Sequence, residues 1–358
     1  MLLKNLSAVS GLCFALCLFA DAANITSFQA PGAGTNLFQG TVANAMNAPG
    51  VIAGFYYDTS GVTHGYLRAA DGAITTFDAG VLGTAAMALN DAGACVGQAF
   101  NAVYVPQAFI RDSDGTVSTF EAPGAGLTTT EGTYALAISP AGEVVGYYVD
   151  SNEVLHGYIR ALDGSIVAFD APGAGTGVSQ GTLANSVNSA GFISGSSIDA
   201  NRASHGFVRS PAGGFVVFDA PGAGAGVDQG TFPASINAAG TVTGYYLDAN
   251  NVYHGFLRYA DGALTTFEAP KAGAEAYQGT FPTSINAAGD VVGSYISSSS
   301  PSLRYGFLRQ ANGAITSFSA PGEGNYYGTS PASINSAGAI TGIYVDQGKV
   351  YFGFLLTP

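Results

Sequence analysis

The residues best suited to chemistry are four histidines, His64, His156, His205 and His254. Each is followed by Gly and an aromatic residue, as in His64-Gly65-Tyr66 and His254-Gly255-Phe256. A zinc-type centre needs two or more ligands at close spacing, such as HxH or HxxxH. One histidine per repeat supplies neither, so no metal and no cofactor is assigned. The histidines are expected to be structural, buried and hydrogen-bonded within their own repeats.

Two columns of carboxylates run beside them. Asp58, Asp150, Asp199, Asp248 and Asp346 end one recurring segment, and Asp78, Glu121, Asp170, Asp219 and Glu268 end another. A calcium loop clusters several oxygens within a few residues. These carboxylates come singly, so hydrogen bonding at turns and strand ends is expected, with sugar or cation contacts as the alternative. Arg68, Arg111, Arg160, Arg209, Arg258 and Arg309 form a third column. Four of them have Asp three residues on, as in Arg68/Asp71, Arg160/Asp163 and Arg258/Asp261. That spacing suggests a structural arginine–carboxylate pair bracing a turn. The glycine-rich APGAG linkers lack the GK[ST] and the following helix of a phosphate loop, and read as turns. No nucleophile–base–acid set is found, and no catalytic residue is assigned.

The elements that must position these columns are visible in Gly230–Pro270, the unit from which the chain is built. Thr231–Asn237, Thr241–Leu247, Tyr253–Tyr259 and Ala263–Glu268 read as strands a to d, rich in β-branched and aromatic residues. Asn237–Gly240 and Ala260–Gly262 are tight turns with Gly where positive φ is needed. Tyrosine pairs on strand b (Tyr56-Tyr57, Tyr147-Tyr148, Tyr245-Tyr246) are expected to pack one unit against the next.

The asparagine of the SIN motif recurs as Asn47, Asn90, Asn188, Asn237, Asn286 and Asn335, with Ser139 in the remaining place. After one shorter step from Asn47 to Asn90 the period is 49 residues. Repeats fall at about 25–73, 74–116, 117–165, 166–214, 215–263, 264–314 and 315–358. Four strands per repeat, with no helical period, predict an all-β fold: a seven-bladed β-propeller over 25–358. The first expected strand after the leader-like segment, Ile25–Phe28, has the phase of a strand d. The final one, Tyr351–Thr357, has that of a strand c without its d. Pairing the two would close a ring and leave no long open edge.

In such a ring the a–b and c–d turns share one face, and the longer b–c loops and d–a linkers the other. The long-loop face is where binding is expected. Gln39, Gln180, Gln229 and Gln278 precede the innermost strands and are expected to ring the channel mouth. With Asp150 and Asp248 they are the ligand-binding candidates. The second repeat is six residues short in its linker, which predicts a notch exposing Tyr104 and Val105 and adds Tyr104 to the candidates.

Composition narrows the partners. A net charge of −13 disfavours nucleic acid and anionic membrane surfaces. Residues 1–22 have a lysine, an apolar core and small residues at the cleavage positions, as in a secretory signal peptide. Cleavage would remove Cys13 and Cys17 and leave Cys95 alone, so no intrachain disulfide and no membrane span are expected.

The run SIN-x-x-G-x-V-x-G-Y-Y-x-D followed by H-G-F-L-R resembles the HAF-repeat family of extracellular bacterial proteins. Here HGF or HGY stands where the family name implies His-Ala-Phe, while Gln107-Ala108-Phe109 keeps the Ala and loses the His. The resemblance implies secretion and a propeller-like repeat domain, and brings no activity with it. The expected function is a secreted, monomeric, non-enzymatic scaffold that binds a glycan or protein through its long-loop face. A lyase or hydrolase at the channel mouth and a structural matrix protein are the alternatives.

Overall fold

A computed structural model describes residues 25–358, so the leader-like segment and Cys13 and Cys17 lie outside the described residues. Every regular element among the described residues is a strand. After β1 (Ile25–Phe28) the chain repeats one antiparallel four-stranded motif. The first unit is β2 (Gly40–Met46), β3 (Ile52–Tyr57), β4 (Thr63–Arg68) and β5 (Ile74–Phe77). The second is β6 (Gly83–Leu89), β7 (Cys95–Phe100), β8 (Pro106–Arg111) and β9 (Val117–Phe120). The third, β10–β13, covers 132–169, the fourth, β14–β17, 181–218, and the fifth, β18–β21, 230–267. The sixth is β22 (Gly279–Ile285), β23 (Val291–Ser297), β24 (Ser300–Arg309) and β25 (Ile315–Phe318). The last has only β26 (Tyr327–Ile334), β27 (Ile340–Val345) and β28 (Tyr351–Leu356) in sequence. Its fourth strand is β1, which pairs antiparallel with β28 in the register Ile25↔Leu356 to Phe28↔Gly353.

Units are tied to their neighbours by two hydrogen-bonding devices. Each inner strand has a bulge, as at Pro233/Ser235, and beyond it an outward-facing amide at the non-hydrogen-bonded pair Ile236↔Val242. The N–H of Ile236 donates to Ser186 Oγ in the preceding unit, and Met46 N–H donates to Ser333 Oγ in the last. The turn asparagines form a ladder. Asn47 donates from Nδ2 to the Asn90 carbonyl (3.1 Å), Asn188 to Asn237 (3.0 Å) and Asn237 to Asn286 (3.1 Å). Asn335 donates to the carbonyl of Asn47 (3.2 Å). Ser139 has no amide to donate and only receives a rung from Asn90.

The core lies between units. Ile52 and Tyr66 of the first unit pack with Phe28 and Leu355 of the last, and Ala53 and Phe77 pack with Cys95 and Phe109 of the second. Burial pushes the Cys95 thiol up to about 12, so it stays protonated and inert. The glycine of the HGF motif has a packing cause: a Cβ on Gly255 would sit 2.8 Å from the Phe267 ring that crosses it.

The arginines do not pair with the aspartates three residues on. Asp71 and Asp261 accept the N–H of Ala73 and Ala263 inside their own turns (2.9 Å each). The guanidiniums instead lie over the strand-d phenylalanine of the preceding unit. Arg68 sits 5.0 Å from the Phe28 centroid, Arg160 4.9 Å from Phe120 and Arg258 5.0 Å from Phe218. Each also reaches its adjacent carbonyl. The turn amides hold the carboxylate, and the aromatic face takes the weakly hydrated cation.

The second unit stands as a separate four-stranded sheet, whereas the other strands form one connected set. At the joint to the third unit, Pro106 has no N–H. Its counterparts Leu155, Ser204, Tyr253 and Tyr351 each donate to the carbonyl of the glutamine before the next inner strand.

Candidate functional site

The long-loop face carries a repeated station built from two hairpins. In the first unit Asp58 ends β3, and its Oδ1 accepts the N–H groups of Ser60 and Val62, closing the b–c loop. Those amides, Val62 foremost, hold the Asp58 carboxyl below the usual range. His64 opens β4 beside it. Its Nδ1 meets Asp78 Oδ1 at 2.8 Å and its Nε2 faces Asp58 Oδ2 at 3.5 Å. Its ring stacks on Tyr56 at 5.1 Å.

The same geometry recurs at His156 with Asp170, Asp150 and Tyr148, and at His254 with Glu268, Asp248 and Tyr246. His205 keeps both carboxylates, Asp219 and Asp199, and has Ser197 in place of the tyrosine. For Asp150 and Asp248, burial works toward a higher pKa. The loop N–H groups and the histidine outweigh it, so both carboxyls end below the usual range. The histidine side chains retain 23–30% exposure, so they are half-buried rather than buried as expected. In the second unit Gln107 takes the histidine position and donates to Glu121 (2.6 Å).

The four glutamines stand before the inner strands, and three of them spend their side chains on hydrogen bonds to linker and loop backbone. Gln39 accepts the Asn36 N–H and donates to the Thr59 carbonyl, and Gln180 links Gly177 N–H to the Ala200 carbonyl. Gln229 does the same with Gly226 and Ala249, and Gln278 is buried. At the first three, the linker amides would lack acceptors without these side chains, which is why they fold back under the linker; Gln278 Oε1 is buried without a partner. The opening on the tight-turn side, about 350 Å³, is ringed instead by Asn47, Asn90, Asn188, Asn237 and Asn286.

Above the stations four linker tips are latched to the loop tip of the preceding unit by a main-chain bond. Ser179 N–H donates to the Glu153 carbonyl, Asp228 to Arg202, Tyr277 to Asn251 and Phe38 to Lys349. Both residues of each latch have positive φ, between 59° and 65°. The latch is constant while its side chains differ: Glu/Ser, Arg/Asp, Asn/Tyr and Lys/Phe. Arg202 and Asp228 form an ion pair (2.7 Å), and Lys349 Nζ lies 4.5 Å from the exposed Tyr326 ring. Tyr277 and Phe38 are exposed. Nothing in the sequence pattern singled out these tips, because their identities follow no column.

At the second unit Tyr104 is exposed as expected, whereas Val105 is 2% exposed and Val103 faces solvent in its place. Asn101 Oδ1 accepts the amides of both Val103 and Val105, and this tight loop turns Val105 inward. Gly177–Gly181 (GVSQG) has the letters of a nucleophile elbow. Its Ser179 sits at a latch tip between two strands, without the strand-to-helix turn that motif requires.

No family model and no curated protein matches this chain. Among solved structures it is similar to virginiamycin B lyase from Staphylococcus aureus at 11% identity and a TM-score of 0.58, covering 93% of this chain and 99% of that one. It is also similar to an ancestral GH74 enzyme, at 13% identity and a TM-score of 0.51, covering 92% of this chain and 51% of that one. A third, the BP39L lectin from Burkholderia pseudomallei, has 10% identity and a TM-score of 0.49, covering 88% of this chain and 95% of that one. At these identities the likeness shows the fold alone, a β-propeller-like array of four-stranded units. Among the described residues no helix is long and apolar enough to cross a membrane.

Proposed function

We propose that the chain is a secreted, non-enzymatic binding scaffold in which seven units form a closed ring, with the long-loop face recognising an extracellular glycan or protein. Closure is supported by the β1–β28 pairing and by the Asn335 rung onto Asn47. Secretion rests on the leader-like residues 1–22 and on the resemblance to HAF-repeat proteins. The observation that carries the binding reading is the latch: one main-chain geometry repeated between units, presenting a different side-chain pair each time. A fixed frame with variable tips is how rigid scaffolds present recognition surfaces.

Catalysis has weaker support. Each imidazole has both nitrogens facing carboxylates of its own unit, which leaves neither placed to exchange a proton with a substrate. The test is a glycan array probed with the secreted chain and with a Phe38→Ala/Tyr277→Ala variant. Hits that disappear in the variant support the tips as contacts. An array with no hits removes the glycan version and leaves a protein partner.

A further inference from the structure

The sixth unit keeps the station's frame and replaces its chemistry. Ser297 stands where other units have Asp58 or Asp248, Tyr305 where they have histidine, and Ser319 where they have Asp78 or Glu268. Tyr295 is kept and stacks on Tyr305 at 5.3 Å. The exchange opens a cavity of about 320 Å³ lined by these residues, Ser317 and Lys271. That volume lies in the range of roughly 300–1,000 Å³ common to small-ligand sites.

Lys271 sharpens the case. It occupies the linker position held by Gly32, Gly124, Gly173, Gly222 and Gly322 elsewhere, and keeps their left-handed conformation with a φ of 88°. A lysine in a glycine conformation is strained, and strain of this kind concentrates at functional sites. Its ammonium has no carboxylate partner within ion-pair distance among the described residues. The four histidine stations present two carboxylates each, and those of the second and last units one, Glu121 and Asp346. This one presents none, plus a cation, in a chain with 11 Lys and Arg against 24 Asp and Glu. Here alone among the stations an anion would meet no carboxylate.

We propose that this cavity binds a carboxylated pyranose, a hexuronate unit of an acidic glycan. The Tyr305 ring would take the C–H face of the sugar, Ser297, Ser317 and Ser319 its hydroxyls, and Lys271 its carboxylate. This deepens, and rests on, the reading of the long-loop face as a binding surface.

The chain has no tryptophan and 19 tyrosines, so tyrosine emission can report on the site. The full secreted chain would be titrated with trigalacturonate and with neutral galactotriose. Saturable binding is expected for trigalacturonate, with galactotriose weaker by about tenfold or more, as a charge-assisted hydrogen bond implies. Lys271→Gly, which restores the repeat residue and relieves the strain, should weaken trigalacturonate binding by about tenfold without lowering the melting temperature. Ser297→Asp/Tyr305→His/Ser319→Asp, which rebuilds the ordinary station, should abolish it. Equal affinity for both sugars, absence of saturable binding, or affinity unchanged in Lys271→Gly would each overturn the proposal. His254→Ala separates the two readings. If trigalacturonate binding is lost there and kept in Lys271→Gly, the face survives as a binding surface and the cavity does not.

Discussion

The two faces of this molecule join their units in opposite ways. On the tight-turn face the side chain makes the joint: asparagine amides reach the next unit's carbonyl, and arginines lie over the preceding unit's phenylalanine. On the long-loop face the main chain makes it, through latches whose N–H and C=O belong to whatever residue is present. The first arrangement holds side-chain identity constant. The second releases it, and differing side chains accumulate there. Selection can therefore change what the long-loop face recognises without loosening the fold.

The sharpest way to break this contrast is Asn237→Ala. It removes the rung to Asn286 and the cap on the amides of Ala239 and Thr241. Losing the buried rung and leaving those partly buried amides without their acceptor should cost about 2–3 kcal/mol in chemical denaturation. A cost no greater than that of a surface substitution would show that the ladder does not hold the units.

A gain should come from Ser139→Asn, which supplies the absent rung toward Asn188. About 0.5–1.5 kcal/mol is expected, and no change in melting temperature would count against the ladder. For the arginine column, double-mutant cycles should give a coupling of about 0.5–1 kcal/mol for Arg258 with Phe218. The Arg258–Asp261 coupling should be smaller. The reverse order would restore the arginine–carboxylate brace.

At the tips, Asp228→Ser and Ser179→Asp should each change stability by less than about 0.5 kcal/mol, the exposed Arg202–Asp228 pair included. A large loss would mean that tip side chains also carry the fold. The smallest expected effect is on pH. Asp58, Asp150, Asp199 and Asp248 have depressed folded pKa values, so their contribution is present above the unfolded carboxylate value. It fades as pH falls below about 4. Amide exchange in the b–c loops should accelerate over that window ahead of the a–b turns.

Much of the frame was legible in the residues. The template strands lie within a residue of their observed limits, at Gly230–Ile236, Val242–Leu247, Tyr253–Arg258 and Leu264–Phe267. The phase of Ile25–Phe28 announced its pairing with the last strand. The site was less legible. Asp58 and His64 stood out, but Asp78, fourteen residues from His64, joins them only once three strands are paired. Arg68 and Asp71 are close in sequence and still take other partners, since sequence distance does not say where a long side chain lies.

By itself the chain of residues determined the repeat, its four strands, its tight turns and the match between its two ends. Hydrophobic alternation and turn chemistry are local properties, and each copy states them again. Only the tertiary structure decided which side chains meet between copies: the asparagine rungs, the arginine on a neighbour's phenylalanine, the latched tips and the cavity beside Lys271. Those contacts depend on the angle and separation of adjacent units, which packing between their sheets sets and no single copy encodes.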